Sequence, residues 1–149
     1  MSDADPIKIL LVEDDKSDAE LIQIALRKAN IQDRVHVVGD GEEAIEFIFC
    51  KGRYSDRIII EDEPKVILLD LKLPKIDGLE VLRCIKGDPR TKAIPIVILT
   101  SSKEQQDRIA SYQFGTNSYL LKPGDMEQFS TAVQELGLYW TVSNKPPLL

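Results

Sequence analysis

The segment Val66-Ile67-Leu68-Leu69-Asp70 places a single carboxylate directly after four consecutive apolar residues. An unbroken apolar run of this kind, without polar alternation, is typical of a strand that is buried on both faces of a parallel sheet. Three further runs have the same character, at residues 7–12, 96–99 and 119–121, and each precedes a stretch with helical periodicity. The sequence therefore predicts repeated strand–helix units.

A weaker strand candidate, Val35-His36-Val37-Val38, is interrupted by a histidine, which suits a position near the edge of the sheet. With it, strand and helix alternate five times, which predicts an α/β fold with helices on both faces of the sheet. Five units fit a flavodoxin-like (βα)5 doubly wound parallel sheet with strand order 2-1-3-4-5. We expect residues 1–149 to form one domain, with a core over about residues 7–136 and a short C-terminal extension over residues 137–149.

Helix boundaries have signals of their own. Asp40-Gly41-Glu42-Glu43 and Ser102-Lys103-Glu104-Gln105 both match the capping box at a helix start. The last helix is predicted from an apolar stripe at helical spacing: Met126, Phe129, Val133 and Leu136. The connection over residues 51–64 is unusually long, and its Ile58-Ile59-Ile60 segment is a candidate for a short extra element.

Composition excludes several classes of protein. The chain has 43% hydrophobic residues, and its 19 Lys and Arg against 25 Asp and Glu give a net charge of −6, which argues against direct binding of nucleic acid. No apolar run is long enough to span a membrane, and residues 1–6 lack the apolar segment of a secretory signal. Cys50 and Cys84 have no CxxC spacing and are expected to be reduced thiols. We therefore expect a cytoplasmic protein.

Polar residues follow the predicted strands: Glu13, Asp14 and Asp15 after the first, Asp70 after the third, Thr100 after the fourth and Lys122 after the fifth. Because the carboxyl ends of parallel strands lie at one edge of the sheet, these side chains should converge in one crevice. Crowded carboxylates repel one another, and one lysine is too little to neutralise them. A hard divalent cation with oxygen ligands, Mg²⁺ above all, fits this set.

A carboxylate beside Mg²⁺, an ammonium and a hydroxyl is suited to phosphoryl transfer, because the cations offset charge on the phosphoryl oxygens. A carboxylate can also act as the nucleophile and form an aspartyl phosphate. Asp70 is the best candidate because it ends a buried strand and stands alone among apolar neighbours.

The segments that carry these residues resemble response-regulator receiver domains. They are Leu11-Val12-Glu13-Asp14-Asp15, Leu69-Asp70-Leu71-Lys72-Leu73-Pro74 with Asp77-Gly78, Ile98-Leu99-Thr100-Ser101-Ser102, and Tyr119-Leu120-Leu121-Lys122-Pro123. The resemblance extends over about residues 7–136. It implies that Asp70 is the phosphoacceptor, and that Glu13, Asp14, Asp70 and the backbone carbonyl of Lys72 hold Mg²⁺.

The same resemblance implies roles for the last two strands. Thr100 would be the switch hydroxyl and Tyr119 the switch aromatic residue, while Lys122 would contact the phosphoryl group and precede a cis bond to Pro123. The implied activity is that of a signalling protein whose own chemistry is limited to phosphotransfer and autodephosphorylation. The implied phosphodonor is a sensor histidine kinase or a phosphotransfer protein.

The connection over residues 51–64, Leu73-Pro74 and the tail with Trp140 resemble the phytochrome-associated single-domain regulators, which makes a phytochrome-type photoreceptor kinase a candidate partner. Lys72 departs from that pattern, where the residue two beyond the phosphoacceptor is often Asn, and this puts the dephosphorylation rate in doubt. Residues 137–149 are too few for a DNA-binding domain, so we expect output through protein–protein contact.

The apolar residues of this tail predict a homodimer built on the fourth helix, fifth strand, fifth helix and tail. The alternative is a tail that folds back on its own domain.

Two other classes of function are alternatives to a signalling protein. A phosphatase of the haloacid-dehalogenase type has a second acid two residues after its nucleophile, where this chain has Lys72. A flavin-binding electron carrier would have a Ser/Thr/Gly-rich phosphate loop after the first strand, where Glu13-Asp14-Asp15 would repel a phosphate. Such a carrier would also be coloured when purified.

Overall fold

The computed structural model describes residues 7–31, 34–59, 61–122 and 124–147. Five parallel strands form one sheet: β1 (Ile9–Val12), β2 (Val35–Val38), β3 (Val66–Leu69), β4 (Ile96–Thr100) and β5 (Ser118–Leu121). Their order is β2-β1-β3-β4-β5, which confirms the predicted order 2-1-3-4-5. β2 lies at one edge of the sheet, as its polar composition predicts.

Five helices alternate with the strands: α1 (Lys16–Lys28), α2 (Gly41–Phe49), α3 (Gly78–Lys86), α4 (Gln105–Gln113) and α5 (Met126–Leu138). Side chains alternate between the two faces of the sheet, so the apolar core has two halves. One half joins residues such as Leu10 and Leu69 to α2 and α3, and the other joins Ile9 and Leu68 to α1 and α5. Strands covered on both faces explain the unbroken apolar runs in the sequence.

Two helix predictions need correction. The Asp40 side chain accepts a hydrogen bond from the Glu43 amide at 2.7 Å, as a helix cap should, but the second capping box is wrong. Glu104 precedes α4 and makes no side-chain cap; the Ser102 hydroxyl accepts from the Glu104 amide at 3.4 Å and donates to Asp107 Oδ2 at 2.6 Å. In α5, Met126 does not belong to the buried stripe: it lies in the first turn and is 60% exposed.

The long connection over residues 51–64 contains a short 3₁₀ turn, Gly52–Tyr54, rather than an element at Ile58 and Ile59. Ile60, the third residue of that segment, lies outside the described residues. Cys50 and Cys84 are free thiols. No helix in the described part of the chain combines the length and apolar character needed to cross a membrane.

The beginning of the C-terminal extension continues the last helix. α5 ends at Leu138 and leads directly into a π-helical turn, Tyr139–Ser143. Trp140 packs against the α1–α5 half of the core and Thr141 is buried, whereas Leu138, Tyr139 and Val142 are exposed. This part of the extension therefore has an inward side and an outward side.

Candidate functional site

The strand register explains why the acidic residues meet. Val12 of β1 is paired with Leu69 of β3, so Glu13 and Asp70, the next residue of each strand, emerge side by side at the carboxyl edge of the sheet. Thr100 ends β4 next to β3, and Lys122 follows β5. Glu13, Asp70 and Thr100 are buried. The structure thus brings Glu13, Asp70, Thr100 and Lys122 together as predicted, whereas Asp15 is exposed and caps α1.

Lys122 is the cation of the crevice, and its side chain is only 10% exposed. Its Nζ lies 2.6 Å from Glu13 Oε1, 3.1 Å from Asp70 Oδ2 and 2.8 Å from Asp18 Oδ2. Asp18 is in the first turn of α1 and was not among the predicted site residues. One ammonium is therefore shared by three carboxylates from three parts of the chain.

Burial and neighbouring groups shift the pKa values of Glu13 and Asp70 in opposite directions. Burial raises the pKa of Glu13 to about 7, with the charge of Asp70 contributing, although Lys122 opposes the shift. Burial also disfavours the charged form of Asp70, but the Thr100 hydroxyl and Lys122 outweigh it and lower the Asp70 pKa below its usual value. Asp70 therefore loses its proton more readily than Glu13, which suits the role of a nucleophile.

Three carboxylates form a cluster that can hold a metal ion. One oxygen from each of Glu13, Asp14 and Asp70 lies within 4.8 Å of the others, with Asp14 on the exposed side. Carboxylate oxygens are the ligands that hard divalent cations take, and a cation would offset the mutual repulsion of these three acids. The donor set therefore fits a divalent metal.

The loop after β3 is held tightly around Asp70. Asp70 Oδ1 accepts hydrogen bonds from the Leu71 amide at 2.7 Å and the Lys72 amide at 3.4 Å. A Cβ on Gly78 would lie 2.3 Å from the Asp70 carbonyl oxygen, so only glycine allows the start of α3 to pack here. A Cβ on Gly41 would similarly lie 1.9 Å from a backbone oxygen of the same loop.

Thr100 and Tyr119, the two predicted switch residues, are connected through the β4–α4 loop. The Ser102 amide donates to Thr100 Oγ1 at 3.3 Å, and the Tyr119 hydroxyl donates to the Ser102 carbonyl at 3.2 Å. The Ser102 side chain continues this connection to Asp107 in α4. Ser102 therefore lies between the crevice and the helix.

Sequence reasoning missed both Asp18 and Ser102. Asp18 lies one turn into α1 and five residues after Glu13, so a search for acids facing the crevice from the first helix turn could have found it. Ser102 gave a signal that was attributed to a helix cap. The predicted cis bond at Pro123 lies outside the described residues, and the roles of the Lys72 carbonyl, Thr100 and Tyr119 stay predictions.

Comparison with known proteins defines the class. The family profile described as the response regulator receiver domain matches residues 9–134. The chain therefore belongs to the response regulator receiver domain family, whose members are signalling proteins of two-component systems. The order of the five strands and the five helices agree with this class.

The individual relatives include a phytochrome response regulator, RcpA, and the response regulator Rcp1. Response regulator Rcp1 from Synechocystis sp. is 41% identical over 135 residues, which are 91% of this chain and 89% of that protein. The crystal structure of the phosphorylated cyanobacterial phytochrome response regulator RcpA superposes with a TM-score of 0.87 at 38% identity, covering 97% of this chain and all of that one. The Mn²⁺-bound form of Rcp1 gives a TM-score of 0.86 at 39% identity, covering 96% of this chain and 100% of that one.

Proposed function

We propose that the protein is a cytoplasmic single-domain response regulator that accepts a phosphoryl group on Asp70 and thereby changes a protein-binding surface. The observation that carries this proposal is the buried Asp70 carboxylate, which lies 3.1 Å from the Lys122 ammonium at the carboxyl edge of the sheet. An ionised carboxylate is a nucleophile, and an adjacent ammonium offers a fixed positive charge to a phosphoryl group.

The donor is a phosphohistidine of a sensor histidine kinase or of a phosphotransfer protein. A carboxylate oxygen of Asp70 forms the new O–P bond while the N–P bond of the phosphohistidine breaks, and the bonding electron pair stays with the imidazole nitrogen. Lys122 then contacts a phosphoryl oxygen. A phytochrome-type photoreceptor kinase is the proposed kinase, because RcpA is a cyanobacterial phytochrome response regulator and aligns over the whole length of its chain.

Mg²⁺ is the metal that this role requires, held by Glu13, Asp14, Asp70 and the backbone carbonyl of Lys72. When bound, it offsets negative charge on the phosphoryl oxygens. The cluster geometry supports the three carboxylates as ligands, and the Mn²⁺-bound form of Rcp1 supports a divalent cation. Glu13 and Asp14 would hold the ion beside Asp70, and the amides of Leu71 and Lys72 hold the Asp70 carboxylate in place.

The test is phosphorylation by a small donor such as acetyl phosphate or phosphoramidate, with and without Mg²⁺. Intact mass should increase by one phosphate in the wild type, and Asp70→Asn should abolish the increase. Asp77→Asn is the matched control, because Asp77 is exposed and makes no side-chain cap hydrogen bond at the start of α3. Equal phosphorylation of Asp70→Asn and Asp77→Asn would show that the nucleophile is another residue.

Phosphorylation is read out through Thr100 and Tyr119. Phosphoryl oxygens on Asp70 attract the Thr100 hydroxyl, which now accepts a hydrogen bond from the Ser102 amide. Movement of Thr100 therefore displaces Ser102, whose carbonyl accepts a hydrogen bond from the Tyr119 hydroxyl. The two-state element is the β4–α4 loop with α4, which a local charge change biases.

The surface that responds is proposed to be a homodimer interface on α4, β5, α5 and the tail. Exposed apolar side chains concentrate there: Ile109, Tyr112 and Phe114 around α4, and Leu138, Tyr139 and Val142 after α5. Trp140 packs against its own core, so the tail is a poor target for truncation. Surface substitution is the better test.

Light scattering should find a dimer for the full chain, strengthened by phosphorylation, and a monomer for Tyr112→Glu. Ile58→Glu is the control, because Ile58 and Tyr112 are 54% and 53% exposed and Ile58 lies outside this face. A wild type that stays monomeric at high concentration, phosphorylated or not, ends the dimer proposal.

A further inference from the structure

Asp18 differs from the other two carboxylates that contact Lys122. Glu13 and Asp70 belong both to the group around the ammonium and to the cluster that can hold a metal ion, whereas Asp18 contacts Lys122 at 2.8 Å but is not in that cluster. Asp18 is thus a partner of the lysine alone. Nothing in the phosphotransfer chemistry described above uses it.

The shared carboxylates create a competition. Lys122 and a divalent cation both need the oxygens of Glu13 and Asp70, and the two cations also repel each other when both occupy the crevice. For a metal ion to bind well, the hydrogen bonds from Lys122 to these oxygens must weaken. The ammonium then needs another anion beside it. Asp18 is the carboxylate in position to be that anion.

The local structure holds Asp18 in this position. The Asp15 side chain caps α1 by accepting a hydrogen bond from the Asp18 amide at 2.9 Å, which fixes the first turn of the helix. The Asp18 side chain is 35% exposed, against 10% for Lys122, so it approaches the ammonium from the solvent side. It contacts Lys122 but is not one of the three carboxylates, Glu13, Asp14 and Asp70, that can hold a metal ion.

We propose that Asp18 is a positioning residue that holds Lys122 while Glu13 and Asp70 turn to the metal ion, so that both cations can be present when the phosphoryl group arrives. The inference rests on the proposed function, since it assumes a divalent metal in the crevice.

The experiment measures Mg²⁺ affinity by titration calorimetry at low salt, with metal binding rather than phosphorylation as the readout. Asp18→Asn should raise the Kd for Mg²⁺ roughly threefold to tenfold, because Lys122 then holds Glu13 and Asp70 more strongly. Glu20→Gln is the matched control, since Glu20 is an exposed acid of the same helix and its loss changes the net charge equally. Its Kd should stay within about twofold of the wild type.

A double-mutant cycle separates positioning of Lys122 from a general charge effect. In a Lys122→Met background no ammonium is left to hold, so Asp18→Asn should change the Kd no more than Glu20→Gln does. Equal effects of Asp18→Asn with and without Lys122 would overturn the inference, as would a wild-type Kd in Asp18→Asn.

A second comparison covers the case in which Lys122→Met fails to fold. Asp18→Glu keeps the carboxylate and should restore most of the Mg²⁺ affinity that Asp18→Asn loses; an affinity as weak as that of Asp18→Asn would count against the role of the charge. Failure of the proposed function is distinguishable, because the wild type itself would then bind no Mg²⁺ or gain no phosphate at Asp70.

Discussion

The Tyr119 hydroxyl donates a hydrogen bond to the Ser102 backbone carbonyl at 3.2 Å, which ties the edge strand β5 to the loop that follows Thr100. Tyr119 is also partly buried against the α2–α3 half of the core, and the Arg108 guanidinium lies 5.5 Å from its ring centre. If Thr100 moves toward Asp70, the loop that follows Thr100 must move with it, and the hydrogen bond from Tyr119 restrains that loop. This relationship makes the tyrosine hydroxyl, and not only its ring, part of the proposed switch.

Tyr119→Phe should weaken the coupling between the crevice and α4, because the ring remains while the hydrogen bond to Ser102 is lost. In the wild type, a phosphoryl mimic such as beryllofluoride should shift NMR resonances over residues 100–119. We expect smaller shifts in α4 for Tyr119→Phe and wild-type shifts for Tyr112→Phe, since Tyr112 is an exposed residue of α4. Unchanged resonances over residues 100–119 in the wild type would argue against this route.

Asp14→Asn should weaken Mg²⁺ binding sharply, because it removes one of the three charges of the metal cluster. Asp15→Asn is a suitable control: Asp15 is adjacent but caps α1, and asparagine caps a helix equally well. Calorimetry should therefore separate the two variants clearly. Similar Mg²⁺ affinities for both would mean that Asp14 is not a ligand.

Gly78→Ala should destabilise the fold by about 1–3 kcal/mol, because the new methyl group would overlap the Asp70 carbonyl oxygen and force the phosphoacceptor loop to move. Mg²⁺ affinity should fall together with stability. Gly39→Ala is the control, since no atom lies within 4 Å of the added Cβ, and its effect should stay within about 0.5 kcal/mol. Urea unfolding measures both, and equal midpoints would refute the close packing at Gly78.

His36 gives the protein a pH-dependent stability. The Tyr54 hydroxyl donates to Glu43 Oε2 at 2.6 Å and so accepts from His36 Nε2 at 2.9 Å, and the His36 ring stacks on Phe47 with centroids 4.7 Å apart. Burial lowers the pKa of His36 below its usual 6.5; Glu43 opposes this shift and Arg57 reinforces it. The folded state therefore takes up this proton less readily than the unfolded chain.

The sign follows from that difference. As the pH falls through 6.5, the unfolded chain binds a proton at His36 before the folded state does, so the free energy of unfolding decreases. His36→Gln removes the titration and keeps a side-chain N–H for Tyr54. Between pH 7.5 and pH 5.5 the Tm of the wild type should therefore drop more than the Tm of His36→Gln, and parallel curves for the two proteins would contradict the prediction.

The crevice could be predicted from sequence because its residues occupy the ends of strands. Parallel strands bring their carboxyl ends to one edge whatever the details of packing, so Glu13, Asp70 and Lys122 meet as a consequence of topology. Asp18 and Ser102 depend instead on where α1 and α4 settle against the sheet. The sequence marks them only as an acid in the first turn of α1 and a serine near the start of α4, and neither signal fixes their contacts.

The other differences have the same origin. The apolar stripe of α5 predicted a buried Met126, but helical periodicity does not indicate that the first turn lies beyond the edge of the core. The connection over residues 51–64 has only one segment with strand propensity, Ile58-Ile59-Ile60, and that segment has no strand to pair with in the predicted order. The connection is held by single side chains, such as Tyr54 on Glu43 and Arg57 on the Phe47 carbonyl, which pattern analysis does not detect.

The bond between Lys122 and Glu13 joins residues that are 109 positions apart, and the bond between Lys122 and Asp70 spans 52. During synthesis, a chain from which β5 has not yet emerged contains Glu13 and Asp70 but lacks the Lys122 ammonium that neutralises them. Bringing together residues that are far apart in sequence costs conformational entropy, so such contacts form late, and contacts that form earlier must offset this cost. The crevice is therefore completed only when β5 joins the sheet, so the phosphoacceptor side of the site is made well before the ammonium that accompanies it.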